Sequence, residues 1–162
     1  MAGPHGAARD RAAPGRCFRV RHAASAPNAP VASKGSVGTL LDTSILIDLE
    51  RARRVFRATE DEVAIAAITA SELIQGVLRA DAAHRPERES FVEGILSTVP
   101  TVPFSLRVAR VHASVWAEMS ASGRTLDAHD LQIAATAISL GWSLATLDRR
   151  HFVNVPGLHL AG

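Results

Sequence analysis

From Val37 onward the apolar residues fall into two alternating rhythms. Short unbroken runs, "VGTLL" (37–41), "VAIAAI" (63–68) and "SLAT" (143–146), read as strands. The continuous, β-branched character of "VAIAAI" marks a strand covered on both faces. Between the runs, apolar residues recur at helical spacing. Helices are expected over Ser44–Arg57, from Thr69 through "TASELIQGVLRA", and from Pro86 to about Leu96. A longer helix, "LRVARVHASVWAEMSAS", is capped by Ser105 and closed by Gly123. Another, "DAHDLQIAATAISLG", is capped by Asp127 and stopped by Gly141. Prolines in "TVPTVPF" confine that strand to an edge, and "GLHLA" reads as a last edge strand. Strands and helices that alternate at this length predict an α/β fold with a mostly parallel sheet flanked by helices. There is no internal repeat.

Composition narrows the class. At 162 residues, 47% hydrophobic and 21% charged, the chain has the make-up of a soluble globular protein able to bury a core. Its one cysteine, Cys17, excludes a disulfide framework and a cysteine-based zinc site and fits a reducing, cytoplasmic compartment. No apolar run approaches the roughly 18 residues of a membrane span, and no secretory apolar core is present at the start.

The basic pI of about 9.5 comes from one end. Residues 1–36 carry Arg9, Arg11, Arg16, Arg19, Arg21 and Lys34 against Asp10, a net of +5, and half of them are Ala, Gly or Pro. The remainder has twelve basic and fifteen acidic residues, a net of −3. The chain therefore divides into a disordered basic leader, 1–36, and a mildly acidic globular domain, 37–162. The leader reads as an over-extended start or a polyanion-attracting tail. It is arginine-rich like a transit peptide but lacks that class's amphipathic stripe.

In parallel sheets, ligands bind beyond the carboxyl ends of the strands. Asp42 follows the first strand and Asp148 follows "SLAT". Glu72 and Asp130 lie in the first turns of helices whose N-termini reach the same edge. Each acid has a local explanation. Asp42 can be a helix cap, and Thr69-Ala-Ser-Glu72 has the form of a capping box. Asp127 and Asp130 suit a helix N-terminus, and Asp148 suits a turn. Jointly, four acids at one edge are harder to explain as caps. Packed carboxylates repel and raise one another's pKa unless a cation neutralises them. Oxygen-only donors suit Mg²⁺ or Mn²⁺, and such ions activate water for phosphodiester hydrolysis.

The stretches "LLDTSILIDL", "ITASELIQGVLRA", "LDAHDLQIAATAISLGWSLATLDRRHF" and "VPGLHL" resemble the PIN-domain family, and within it the VapC-type toxin ribonucleases. The resemblance spans about Gly38 to Leu160, and its most specific part is the "AHDLQIAATA…T.DRRHF" block. It implies a three-layer α/β/α nuclease dependent on Mg²⁺ or Mn²⁺, with RNA as substrate, a homodimeric state and a cognate antitoxin as inhibitor. It also implies that Asp42, Glu72, Asp130 and Asp148 are the catalytic, metal-holding quartet. Asp127 stands where many members have Gly, and the leader has no counterpart in short-start members. A groove between the helices after the first two strands, bearing Ile45, Leu46, Leu49, Leu73, Ile74, Val77 and Leu78, is expected from the resemblance to receive an antitoxin helix whose basic side chain pairs with Asp42 or Asp130; the alternative is that all seven are core.

Smaller roles attach to neighbours of the quartet. Thr43, Ser44 and Thr146 are candidates to bond phosphate or water, with capping and strand packing as the alternative. Arg124, Arg149 and Arg150 are candidates for RNA phosphates, with solvated surface arginines as the alternative. His129 precedes Asp130 but faces away from it on the helix and receives no role. Trp116 and Trp142 are read as core or interface. Two other classes stand beside the nuclease: a catalytically silent PIN-like binding module, and a PIN nuclease of RNA processing outside any toxin–antitoxin pair. A dehalogenase-like phosphatase needs a second acid where this chain has Ser44.

Overall fold

The computed structural model describes residues 38–52 and 62–162. The expected leader, residues 1–36, and the expected helical residues 53–57 lie outside the described residues.

The strands are β1 (Gly38–Leu41), β2 (Glu62–Ala66), β3 (Thr101–Val102), β4 (Ser143–Ala145) and β5 (His159–Leu160). They form one sheet in the order β3-β2-β1-β4-β5, with every pair parallel. Successive strand residues face opposite sides. Leu40, Ala64, Ala66 and Leu144 enter one apolar cluster, while Leu41, Ile65 and Ala145 enter the other. The first cluster is covered by α4 (Leu106–Ala121) and α5 (Ala128–Leu140), the second by α1 (Thr43–Ala52), α2 (Ala67–Arg79) and α3 (Arg85–Thr98). This is the expected three-layer α/β/α architecture. A short α6 (Arg149–Phe152) follows β4.

Local chemistry explains most boundaries. Ser105 caps α4 by accepting the Val108 amide on Oγ, and Asp127 caps α5 by accepting the His129 amide. Gly123 and Gly141 adopt φ of 69° and 72° just past those helices, where other residues are strained. Pro100 and Pro103 flank the two-residue edge strand β3. Helix α5 is buried nearly all round, from Leu131 to Ser139, because it lies between the sheet and α4. Gly38 has a stricter reason: a Cβ there would stand 2.4–2.7 Å from the ring of the buried Trp142.

One boundary and one cap differ from expectation. The apolar run over 63–68 ends as a strand at Ala66, and α2 begins at Ala67, two residues before Thr69. The expected capping box is absent. Ala66 is the N-cap residue and makes no side-chain cap bond. Thr69 is fully buried within the first turn, with its Oγ1 unpaired among the described residues. Glu72 is consequently free of the helix start and directed to other partners.

Candidate active site

Parallel order puts the carboxyl ends of β1, β2 and β4 side by side. Leu41 pairs with Ile65 on one side and Ala145 on the other, and the Asp42 amide extends the ladder to the Ala145 carbonyl at 2.9 Å. Asp42 and Asp148 leave from adjacent strands. Asp130 lies in the first turn of α5 as expected, whereas Glu72 lies in the second turn of α2 and not in its first, because that helix starts at Ala67.

Asp42 is the best-fixed of the four, only 6% exposed. Its Oδ1 accepts the Thr43 amide at 2.8 Å, and its Oδ2 accepts from Thr146 Oγ1 at 2.8 Å and from Ser44 Oγ at 2.5 Å. Thr146 Oγ1 also accepts the Asp148 amide at 3.0 Å, and Ser44 Oγ accepts the Leu147 amide at 3.1 Å. The two hydroxyls thus tie the end of β1 to the loop after β4. Their bonds go to Asp42 and the backbone, so both act first as supports for the carboxylate.

Glu72 is held from both sides: Thr43 Oγ1 donates to Oε2, and His129 Nδ1 lies 2.8 Å from Oε1. His151 Nδ1 lies 3.2 Å from Asp148 Oδ2 and 3.7 Å from Asp130 Oδ2. Among the described residues, no three acidic or histidine side chains already stand in a metal-coordinating arrangement.

Asp130 carries the electrostatic signature of the cluster. Burial, then the negative charges of Asp42 and Asp127, push its carboxyl up to about 6, with Glu72 adding to the rise and His151 opposing it. A carboxyl that resists ionisation, first because it is buried and then because acids surround it, lies where positive charge is lacking. The donor set therefore fits a hard divalent cation.

The arginines separate into two kinds. Arg149 donates to the Ala161 carbonyl and fastens α6 to the C-terminal strand. Arg124 donates from Nε to Ser122 Oγ and from Nη1 to the Asn154 carbonyl, both at 2.8 Å. Arg150 is almost fully solvated, 3.9 Å from Asp148.

His129 and His151 were not among the expected site residues. His129 does face away from Asp130, but toward Glu72 on α2, which only the packing of α2 against α5 reveals. His151 had a readable signal: three residues after Asp148, at the start of a helix, it shares that residue's face.

In comparison with known proteins, the family description "PIN domain" matches residues 39–158. A ribonuclease VapC of Rickettsia bellii is 33% identical over 127 residues, covering 76% of this chain and 95% of that protein. A tRNA(fMet)-specific endonuclease VapC of Salmonella typhimurium is 30% identical over 112 residues, covering 68% and 83%. Among solved structures, DNA-bound VapBC from Salmonella typhimurium superposes with a TM-score of 0.71 at 25% identity, covering 77% of this chain and 97% of that one.

Proposed function

Since the chain belongs to the PIN-domain family and matches VapC ribonucleases over nearly their whole length, we propose that it is an endoribonuclease toxin neutralised by a cognate antitoxin. The observation that supports the proposal is the meeting of Asp42, Glu72, Asp130 and Asp148 at one strand edge, where burial and the nearby acids Asp42, Asp127 and Glu72 raise the Asp130 carboxyl. These four residues would hold Mg²⁺, with Mn²⁺ as a substitute. When bound, the metal supplies positive charge to the phosphodiester oxygens and lowers the pKa of the attacking water.

The remaining work falls to the chain itself. Ser44, Thr146 and the Thr43 amide hold Asp42 in one orientation, so little reordering is needed when charge arrives. Thr43 and His129 fix Glu72, and His151 bridges Asp148 and Asp130. Arg124 and Arg150 attract the phosphates of RNA toward an otherwise acidic edge.

The antitoxin reading gains a sharper surface. Leu46, Leu73 and Val77, expected to line the groove, are core residues. The apolar side chains that α2 leaves to solvent are Ile74, 43% exposed, and Leu78, 70% exposed. An antitoxin helix seated on them, with a basic residue reaching Asp130, would compete with the metal. The ring contacts that join Phe104, His112 and the exposed Trp116 give α4 an apolar strip suited to a second copy in a homodimer. Acting on RNA beside a protein inhibitor, the enzyme works in the cytoplasm.

Substitutions rank the acids. Asp42→Asn and Asp130→Asn should abolish cleavage of RNA by folded protein, whereas Asp127→Asn should retain most of it, because Asn caps a helix about as well as Asp. An inactive Asp127→Asn beside an active Asp130→Asn would reverse the assignment of the third acid.

A further inference from the structure

A cavity of about 520 Å³ opens beside Asp130 and His151 at the acidic edge. Asp130 and His151 form its boundary with the carboxylates, and Met119 and Leu126 give it an apolar surface. Arg124, Thr125, Asp127, Arg150 and Asn154 line the rest. The size is within the roughly 300–1,000 Å³ usual for small-ligand sites.

Two features make this more than a surface hollow. Arg124 is a fixed cation: its guanidinium bonds Ser122 and the Asn154 carbonyl, joining the loop before α5 to the loop after α6 across the cavity. Arg150, by contrast, is 92% exposed at the side chain and able to swing toward a ligand. The cavity therefore offers an apolar face at one place and two guanidinium groups at another. A nucleotide asks for this combination, since its base has two flat apolar faces while its phosphate needs donors in a fork.

We propose that the cavity is a nucleotide subsite, which holds the base and phosphate of the RNA residue adjoining the phosphodiester cut at the carboxylates. The proposal rests on the ribonuclease reading above and adds to it where the RNA runs. A chain cut at the quartet must leave along the edge, and here the edge provides cations next to a surface for one base. The quartet supplies the chemistry, and Arg124 with its cavity supplies grip and register.

The test is a titration of the ¹⁵N-labelled full chain in EDTA with AMP, GMP, CMP and UMP, and separately with inorganic phosphate, followed by NMR. The subsite predicts shifts at Leu126, Asn154 and the Arg124 Nε–H with nucleotides, much weaker shifts with phosphate, and loss of all of them in Thr125→Trp. Thr125 is an exposed residue of the cavity wall, so the indole fills the space without entering the core. In parallel, Arg124→Gln and Thr125→Trp should lower kcat/KM for an RNA oligonucleotide by about tenfold, the loss of one charge-assisted contact, mostly through KM. Thr125→Trp should leave Mn²⁺-dependent hydrolysis of bis(p-nitrophenyl) phosphate, too small to reach the cavity, within about twofold of wild type. RNA cleavage that is unaffected, with no nucleotide shifts here, overturns the subsite and leaves the nuclease standing. Equal shifts with phosphate alone overturn the nucleotide assignment. Nucleotide shifts at these residues in a protein that cuts no RNA support the subsite and refute the nuclease.

Discussion

Replacing Asp130 with Asn should damage the enzyme and strengthen the fold. In the metal-free protein, burial and the charges of Asp42 and Asp127 raise this carboxyl from 3.8 to about 6. Each unit corresponds to about 1.4 kcal/mol, so ionising Asp130 in the folded state at neutral pH costs up to roughly 3 kcal/mol more than in the unfolded chain. The side chain is 26% exposed and its partner His151 is lost on substitution, which together reduce the net gain to about 1–2 kcal/mol. Thermal unfolding in EDTA at a pH of about 7.5 should therefore show Asp130→Asn melting roughly 3–8 °C above wild type. The sign of the pH dependence follows from the raised value. Wild-type stability is lost as pH rises from 3.8 through about 6, so the gap between the two proteins should close over that interval on acidification. Mn²⁺ should reverse the order at neutral pH, because only the protein with the intact site gains binding free energy, about 2.7 kcal/mol at one hundred times Kd. A variant less stable than wild type in EDTA, or a gap that stays constant down to a pH of about 4, would refute the repulsion on which the metal site is argued.

Three further outcomes are expected. Gly38→Ala places a methyl within 2.7 Å of the buried Trp142 ring and should cost about 2–3 kcal/mol in urea unfolding, since neither strand nor indole has room to move. Leu78→Glu should weaken the complex with antitoxin without moving the melting temperature, because the side chain is 70% exposed; an unchanged complex would place the antitoxin on another surface. Deleting residues 1–36 should leave melting and metal-dependent cleavage nearly unchanged and weaken RNA binding only at low salt, as expected of a +5 segment that contributes charge and no core. A large drop in melting temperature would show that the leader packs on the domain.

The places of Asp42, Asp130 and Asp148 were readable in the sequence because each follows a strand or opens a helix, and a parallel sheet sends such points to one edge. The parallel sheet flanked by helices followed from the alternation of strands and helices, and its three layers from the family resemblance. What depended on packing between distant segments was hidden. The Thr69–Glu72 spacing fits a capping box, but the chain enters α2 at Ala67, and Glu72 finds better partners in Thr43 and His129 than in its own backbone. Ser44 and Thr146 were singled out as neighbours of Asp42, yet their bonds to it needed the register of β1 with β4. The two tryptophans look alike in sequence and differ in fate: Trp142 fills the space above Gly38, while Trp116 stands 61% exposed next to His112. Periodicity places a residue on a face, and only tertiary structure says what covers that face.

The central claim is that four carboxylates at one strand edge cut RNA with metal-activated water. Its most direct test is cleavage of an end-labelled RNA by the purified full chain, freed of antitoxin, in EDTA and after Mn²⁺ is restored, with the product ends determined by mass spectrometry. The account predicts no cleavage in chelator, recovery with Mn²⁺, none with Asp42→Asn, and linear monophosphate ends, because water and not the ribose hydroxyl attacks phosphorus. Cleavage that persists in EDTA, or that leaves cyclic phosphate ends, would contradict it.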